Sequence, residues 1–403
     1  MSKVYPNNKN TTIAPLRQGF GGQAVKTVAV AMSGGVDSSV AAALLKEQGY
    51  NVLGFFMKNW GDDTCGLKSS DCPWMQDRED AMRVCAKLDI PFKTLDFEKE
   101  YKDMVLDYFF KEYELGRTPN PDIMCNSQIK FGVFLDKALE LGADYIATGH
   151  YVRAREVQGA RYEVRDGEGE SVELLKGVDK NKDQSYFLYR LNQKQLSKSM
   201  FPVGDLTKPK VRELAKKFSL PNYDKKDSQG VCFIGHIDLQ KFLSQKIKEK
   251  PGDIVDEKGA KIGEHKGLFW YTIGQRKGIN IGGIGPFYVL QKDFKDNKLI
   301  VTNNPKNEQL YASFIEISDA NWILGITPSN SPLAGGEVLE CRIRYREKLT
   351  KCTITDKKEG IYQVDFKTPQ WAVASGQSVV FYDGDSCLGG GIINGYAGVA
   401  VEI

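Results

Sequence analysis

Histidine, closely spaced cysteines and long apolar runs are all scarce in this 403-residue chain. It contains three histidines and eight cysteines, and no two cysteines form a Cys-x-x-Cys pair. Structural zinc sites often draw on such pairs, so we predict no protein-bound metal site. The cysteines are too dilute for a disulfide scaffold, which indicates a reducing compartment, the cytoplasm. No apolar run approaches the ~20 residues that a membrane helix needs.

A large excess of charge of either sign is also absent. The 55 basic and 52 acidic residues leave a formal net charge of +3, which neither requires nor excludes a nucleic-acid partner. Basic residues do cluster within 194–217. They also alternate along one predicted strand, at Arg342, Arg344, Arg346 and Lys348, where they would share a face. Both clusters fit contacts with RNA phosphates, although a solvated surface explains each single residue equally well.

The chain divides into four parts by composition. Residues 1–26 carry no acid and indicate a flexible N-terminal tail. Over 27–220, short β-branched runs alternate with helical stretches, including a predicted helix at 184–199, and this predicts an α/β domain with a parallel sheet. Two smaller mainly-β domains are predicted at 221–308 and 309–403. The strands of the last one fit a barrel or a sandwich, and we expect a β-barrel.

A glycine-rich loop lies between the first predicted strand and the first predicted helix. It reads SGGVDSS from Ser33 to Ser39. Its glycines let backbone N–H groups close on a phosphate, and the helix N-terminus adds partial positive charge. The loop is neither a Walker A motif nor a GxGxxG fingerprint, and a simple helix-capping turn is the alternative. It resembles the signature of the PP-loop ATP pyrophosphatases.

That resemblance implies an adenine-nucleotide site at the carboxyl ends of the strands. The loop would hold the pyrophosphate of ATP, and Asp37 would lie near Mg²⁺ or the phosphates. Met57 and Gly149 end later strands, where α/β sheets bind ligands, although each alone is more simply a structural strand end. The predicted ATP-binding residues are Ala31, Met32, Ser33, Gly34, Gly35, Val36, Asp37, Ser38, Met57 and Gly149.

Two of the eight cysteines lie in unusual surroundings. Cys125 ends the run TPNPDIMC, whose prolines disfavour a helix up to that point, while Asn126 or Ser127 could cap a helix that follows. Cys125 would then sit at a helix N-terminus with Lys130 one turn on, and both features favour the thiolate. Cys232, in DSQGVCFIG, lies on a glycine-framed basic segment, although a short core strand fits equally well.

Seven motifs occur in one order: SGGVDSS, PNPDIMCN, ATGHY, NKDQSYFL, SQGVCFIG, YTIGQRKG and CLGGGII. In that order they resemble the tRNA-specific 2-thiouridylases from about Lys26 to the end of the chain. Argininosuccinate and GMP synthetases are similar in the phosphate loop only. The resemblance implies a sulfurtransferase that uses ATP with Mg²⁺, adenylates the C2 oxygen of the wobble uridine and replaces that oxygen with sulfur.

The resemblance also assigns roles to single residues. Cys232 would carry a sulfane sulfur as a persulfide, Cys125 would be the catalytic nucleophile, and the two would form a redox-active disulfide. Asp122 would be a general base or orient the substrate. The implied tRNA contacts are Asn120, Pro121, Asp122, His150, Lys182, Asp183, Gln184, Arg344, Tyr345 and Gln377. A structural histidine and a helix N-cap are the alternatives for His150 and for 182–184.

The expected partners are the tRNA anticodon region and a persulfide donor, either a cysteine desulfurase or a sulfur-relay protein. We expect a monomer with no membrane partner. Two other classes compete with this hypothesis. A PP-loop ligase or amidotransferase acting on a small molecule would need neither cysteine, and a noncatalytic RNA-binding module would not need an intact phosphate loop.

Overall fold

The computed structural model of the chain describes residues 25–61, 73–157, 171–227, 243–244, 246–279, 281–282, 286–325, 338–357 and 359–396. Most of the predicted tail 1–26 and the predicted persulfide residue Cys232 lie outside these ranges. None of the described helices is long and apolar enough to cross a membrane.

The first domain is built on a five-stranded parallel sheet of order β3-β2-β1-β4-β7. Its strands are β1 (Thr27–Ala31), β2 (Asn51–Lys58), β3 (Phe92–Asp96), β4 (Tyr145–Ala147) and β7 (Ser199–Met200). Alternate residues of β1 enter two different apolar cores, because Ala29 belongs to one buried cluster and Val28 to the other. A strand buried on both faces is typical of a parallel sheet covered by helices.

Helices cover both faces of this sheet. The helices are α1 (Val36–Glu47), α2 (Pro73–Lys87), α3 (Glu98–Tyr101), α4 (Asp107–Glu114), α5 (Pro121–Met124), α6 (Phe134–Glu140), α7 (Gln193–Ser197) and α8 (Lys208–Lys217). Segments of wider, π-type helix at Lys102–Leu106 and Cys125–Val133 join α3 to α4 and α5 to α6. The predicted α/β domain is therefore confirmed.

The two following modules are mainly β, as predicted. A small four-stranded sheet of order β10-β11-β8-β9 comprises β8 (Gly252–Val255), β9 (Lys261–His265), β10 (Tyr288–Asp293) and β11 (Lys298–Thr302). Six further strands close into a barrel in the order β12-β15-β14-β13-β16-β17, since β12 also pairs with β17. These are β12 (Tyr311–Trp322), β13 (Leu339–Arg342), β14 (Thr350–Asp356), β15 (Tyr362–Trp371), β16 (Ser378–Asp383) and β17 (Ser386–Tyr396). The expected β-barrel is confirmed.

A hairpin from the first domain extends the sheet of the barrel. Its strands are β5 (Val152–Val157) and β6 (Ser171–Lys176). In the register of β6 with β17, Leu174 lies opposite Cys387 and Leu175 opposite Ser386. The first and last parts of the chain thus share a continuous hydrogen-bonded sheet, which joins the barrel to the hairpin that follows β4.

Two local predictions were wrong. The expected helix at 184–199 is a 3₁₀ turn, Ser185–Phe187, followed later by the short α7, because Asn192 caps a new helix there with a reciprocal bond to Gln195. The expected strand carrying four basic residues ends at Arg342. Arg346 has φ of +63°, a left-handed conformation that interrupts a strand, so the four side chains do not share one face.

The hairpin contact generates a stability prediction. Leu174 is fully buried beneath the β6–β17 pairing, so Leu174→Ala should lower the free energy of unfolding by ~2–5 kcal/mol through lost burial and a cavity. Urea denaturation followed by circular dichroism measures this. Leu141→Ala, at a side chain that is 39% exposed, is the matched control and should stay within ~0.5 kcal/mol. Equal losses in the two variants would contradict the packing described.

Candidate active site

The SGGVDSS motif connects β1 to α1 and extends into the first turn of α1. Gly34 has φ of +73°, and a Cβ there would lie 2.1 Å from the main-chain oxygen of Asp77, so only glycine fits. Ser38 Oγ accepts from the Ser33 amide at 3.2 Å, and Ser39 Oγ donates to the Gly35 carbonyl at 2.8 Å. Gly35 is the N-cap, and no side chain in the described ranges caps the helix. Because none of the described side chains caps the amides at the start of α1, this arrangement is better suited to binding an anion than a helix-capping turn is.

Asp37, in the first turn of α1, is the centre of a polar network. Its carboxylate accepts from the Tyr151 hydroxyl at 2.7 Å and from Lys208 Nζ at 2.7 and 2.9 Å. Burial, and then the adjacent Asp37 carboxylate, raise the pKa of Tyr151 above its usual range, so the phenol stays protonated and donates. Sequence reasoning singled out Asp37 but missed Tyr151, which directly follows the predicted His150, and missed the role of Lys208.

Lys208 links Asp37 to a second carboxylate. Its ammonium lies 2.8 Å from Asp227 Oδ1, and Arg212 and Lys182 also pair with Asp227. Burial raises the pKa of Asp227, but hydrogen bonds from Lys182 and Lys208 outweigh it and hold the pKa well below its usual range. Asp227 therefore stays ionised, and a chain of alternating charges runs from the phosphate loop to the residue five positions before Cys232 in sequence.

Two further residues pack directly against the loop, whereas the predicted Met57 lies on a neighbouring strand. Gly149 lies two residues after the end of β4, and a Cβ there would lie 2.6 Å from the Ser38 amide nitrogen, so this glycine admits α1 close to the strand end. Asn222 donates from Nδ2 to the Gly34 carbonyl at 2.9 Å and to Ser39 Oγ at 3.0 Å; no sequence pattern marked it. Met57 is buried on β2.

The prediction that Cys125 lies at a helix N-terminus was wrong. Pro121 occupies the first turn of α5, where its missing N–H costs nothing, and Asn120 is the N-cap, accepting from the Ile123 amide at 3.3 Å. Cys125 therefore follows the first helical turn. Its exposure is 0% and it belongs to the apolar core cluster, whereas Asp122 is partly exposed.

The predicted His150 lies near this helix. Its Nδ1 is 2.8 Å from Thr148 Oγ1, and its ring centroid is 5.7 Å from that of Phe131. Burial, and then the nearby Lys130 charge, lower its pKa well below the ordinary value. His150 is neutral at pH 7 and can offer a hydrogen bond but not a charge.

The predicted 182–184 stretch is tied into the protein. Asp183 accepts from the amides of Gly177 at 3.2 Å and Ser185 at 3.1 Å, and it lies 3.5 Å from Arg342. Gln184 Oε1 accepts from the Tyr151 amide at 2.9 Å. These side chains therefore fix the loop, and of the three residues only Lys182 has its charge on the Asp227 network.

The predicted barrel residues fall into two places. Arg344 donates to the main-chain oxygens of Trp371 and Ala372, while the Tyr345 ring lies 4.5 Å from Phe187, centroid to centroid. Gln377 Nε2 donates to the Thr118 carbonyl at 2.7 Å. The structure thus brings Gln377 to the segment just before Asn120, a contact that the sequence could not show.

In the described ranges no cluster of three or more histidine, cysteine, aspartate or glutamate side chains could hold a metal ion. The parallel sheet, the phosphate loop at its carboxyl edge and the anchored Asp37 define a PP-loop nucleotide-binding domain.

Comparisons with known proteins agree with this class and narrow it. Residues 26–236 match the family model described as the tRNA methyl transferase HUP domain, 240–303 match the corresponding PRC-barrel domain, and 313–393 match the aminomethyltransferase beta-barrel domain. The tRNA-specific 2-thiouridylase MnmA of Hydrogenovibrio crunogenus is 48% identical over 91% of this chain and 94% of its own length. That of Staphylococcus aureus strain bovine RF122 is 49% identical over 91% and 95%.

The chain belongs to the tRNA-specific 2-thiouridylase family, whose members are tRNA sulfurtransferases. Among solved structures, a 4-thiouridine synthetase–RNA complex with bound ATP is 15% identical, covers 55% of this chain and 50% of its own, and has a TM-score of 0.31.

The close approach at Gly149 gives a test of the loop. Gly149→Ala should lower the rate of ATP-dependent pyrophosphate release by ~10-fold or more, because the new methyl group displaces the start of α1 and small misplacements are costly. Gly395→Ala, with no heavy atom within 4 Å of the added Cβ, is the control. An unchanged rate in the Gly149 variant would contradict the placement of the phosphate site.

The Asp227 network gives a pH prediction. A carboxyl whose pKa is lowered on folding stabilises the protein fully above the unfolded pKa of ~3.9 and loses this effect as the pH falls towards the folded pKa. Asp227→Asn should therefore reduce stability at pH 7, and its difference from the unmodified protein should narrow below about pH 4. Urea unfolding at several pH values measures this, with the exposed Asp89→Asn as control. A difference that does not change with pH would contradict the ionised network.

Proposed function

We propose that this chain is an ATP-dependent tRNA 2-thiouridylase that converts the wobble uridine to 2-thiouridine. The observation that carries the proposal is the phosphate loop with its anchored Asp37, in a chain that matches 2-thiouridylases over 91% of its length. The alternative of a small-molecule ligase is not favoured. A ligase of that kind would not be expected to align with a tRNA-modifying enzyme over all three modules, as this chain does. A noncatalytic module is disfavoured by the intact loop.

The phosphates of ATP would bind the loop amides and the start of α1. Lys208 and Tyr151 hold the Asp37 carboxylate at the mouth of that loop. Mg²⁺ prefers one or two carboxylates together with phosphate oxygens, so Asp37 fits an ion that enters with ATP and would neutralise phosphate charge. We propose the same nucleotide contacts as those predicted from the sequence, at Ala31–Ser38, Met57 and Gly149.

The reaction we propose has three steps. The uracil O2 attacks the α-phosphorus of ATP, and pyrophosphate leaves. The terminal sulfur of a Cys232 persulfide attacks C2, and AMP leaves with the former O2. The Cys125 thiolate then attacks Cys232 Sγ, which breaks the persulfide bond, leaves a Cys125–Cys232 disulfide and releases the 2-thiouridine.

The residues around α5 serve this sequence. Asp122 is partly exposed on the first turn of α5, and we propose that it accepts a proton as a general base or orients the substrate. Cys125 is buried. Its thiol would therefore be kept from water until the tRNA base, flipped from its stack, enters the site. A two-electron reductant restores both thiols, which fits a reducing cytoplasm.

We propose that tRNA is contacted at 120–122, 182–184, 344–345, His150 and Gln377. Among these, Asp183, Gln184 and Gln377 already bond within the protein, so they would shape the contact surface. A cysteine desulfurase or a relay protein would supply the sulfane sulfur, and the enzyme would act as a monomer of four parts with the boundaries predicted above.

The roles of the two cysteines can be tested directly. Cys125→Ser and Cys232→Ser should each abolish 2-thiouridine formation, because a hydroxyl can neither carry a persulfide nor resolve one, while tRNA-dependent pyrophosphate release should persist. Mass spectrometry of nucleosides from recovered tRNA, with ATP and a persulfide donor supplied, measures the product. Cys65→Ser, outside both motifs, should remain active. Normal thiolation by either motif variant would refute the assigned roles.

A further inference from the structure

The short segment 116–119, which leads into α5, is held from one side by the four-stranded module. Lys292, on β10, donates from Nζ to the main-chain oxygen of Gly116 and, at 2.9 Å, to that of Tyr271. The hydroxyls of Thr118 and Thr272 lie 3.0 Å apart. The module therefore binds the segment at Gly116 and at Thr118 through its polar groups.

The barrel holds the same segment from the other side. The Thr118 amide donates to the Ser375 carbonyl at 2.8 Å, and Gln377 donates to the Thr118 carbonyl at 2.7 Å. Gly376 has φ of +88°, and a Cβ there would lie 2.9 Å from the Thr118 nitrogen. The segment is thus held by hydrogen bonds to two modules that are distant from it in sequence.

The position of Lys292 carries a free-energy cost, because a charged ammonium group is removed from water there. Its side chain is largely covered by the protein, although not fully buried, and this partial burial lowers its pKa to about 8. No carboxylate in the described part of the chain lies within ion-pair distance of it, and its polar partners are two carbonyl oxygens. Covering an ammonium group without a counter-ion costs free energy. The two hydrogen bonds therefore indicate that the position of segment 116–119 matters for more than the stability of the fold.

That segment sets the start of α5. Asn120 caps the helix through its side chain, Asp122 lies on the first turn, and Cys125 follows directly. A displacement of about 1 Å in a reacting group can cost ~10²-fold in rate. The carbonyl of Gly116 is only nine residues before Cys125, and the intervening chain is bonded along its length.

We propose that Lys292 is a positioning residue for sulfur transfer: by fixing the Gly116 carbonyl against that of Tyr271, it sets the place of the helix that carries Asp122 and Cys125. The central module is then a working part of the catalytic site as well as a spacer before the barrel. This proposal rests on the proposed function for its reaction, but the placement of the segment can be measured without it.

The test compares Lys292→Met, which keeps the apolar stem and removes the donors, with Lys292→Gln, which keeps N–H donors. Lys298→Met, on the neighbouring β11 with a partly exposed side chain, is the matched control. The readouts are single-turnover 2-thiouridine formation, tRNA KM, melting temperature, and hydrogen–deuterium exchange of the peptide spanning 116–125.

Lys292→Met is expected to slow single-turnover thiolation by tenfold or more with tRNA KM within about twofold, and to raise exchange in 116–125 selectively. Lys292→Gln should recover part of both effects, and Lys298→Met should show neither. The proposal is overturned if Lys292→Met transfers sulfur at the normal rate. It is also overturned if the rate and the melting temperature both fall while KM rises and exchange increases across the whole chain. If the unmodified protein forms no 2-thiouridine, the proposed function fails, and the exchange data alone then decide whether Lys292 places the segment.

Discussion

The ion pair between Asp37 and Lys208 is the interaction on which the arrangement of the first domain depends. It joins the first turn of α1 to the start of α8, residues 171 positions apart in sequence. Lys208 simultaneously pairs with Asp227, so the phosphate loop, the last helix of the domain and the chain that leads to Cys232 share one ammonium group. Because the Lys208 side chain is only 11% exposed, solvent screens this network less than it would a surface pair.

The second constraint is that the segment leading into α5 is held by more than one module. Residues 116–119 are part of the first domain in sequence, yet their main-chain groups bond to the four-stranded module and to the barrel. The hairpin β5–β6 joins the barrel by strand pairing on another side. The barrel is therefore hydrogen-bonded directly to the segment that leads into the helix before Cys125.

The sequence predicted the sheet, the phosphate loop and the barrel because each depends on local patterns: strand, glycine loop and helix in order, or alternating short strands. It failed at Cys125, whose preceding Pro121 begins a helix instead of blocking one, and at the basic strand that Arg346 interrupts. It also missed Tyr151, Asn222 and Lys292, because their roles arise from partners more than 100 residues away in sequence. Spacing along the chain carries no information about such contacts.

The central claim is that ATP activates the C2 oxygen of the uridine itself. The most direct measurement uses a tRNA whose wobble uridine carries ¹⁸O at C2, incubated with the protein, ATP and a persulfide donor, with mass spectrometry of the AMP and of the nucleosides. The account predicts one ¹⁸O in each AMP released and 2-thiouridine in equal amount. Unlabelled AMP, with the oxygen taken from water or the label retained in the tRNA, would contradict it.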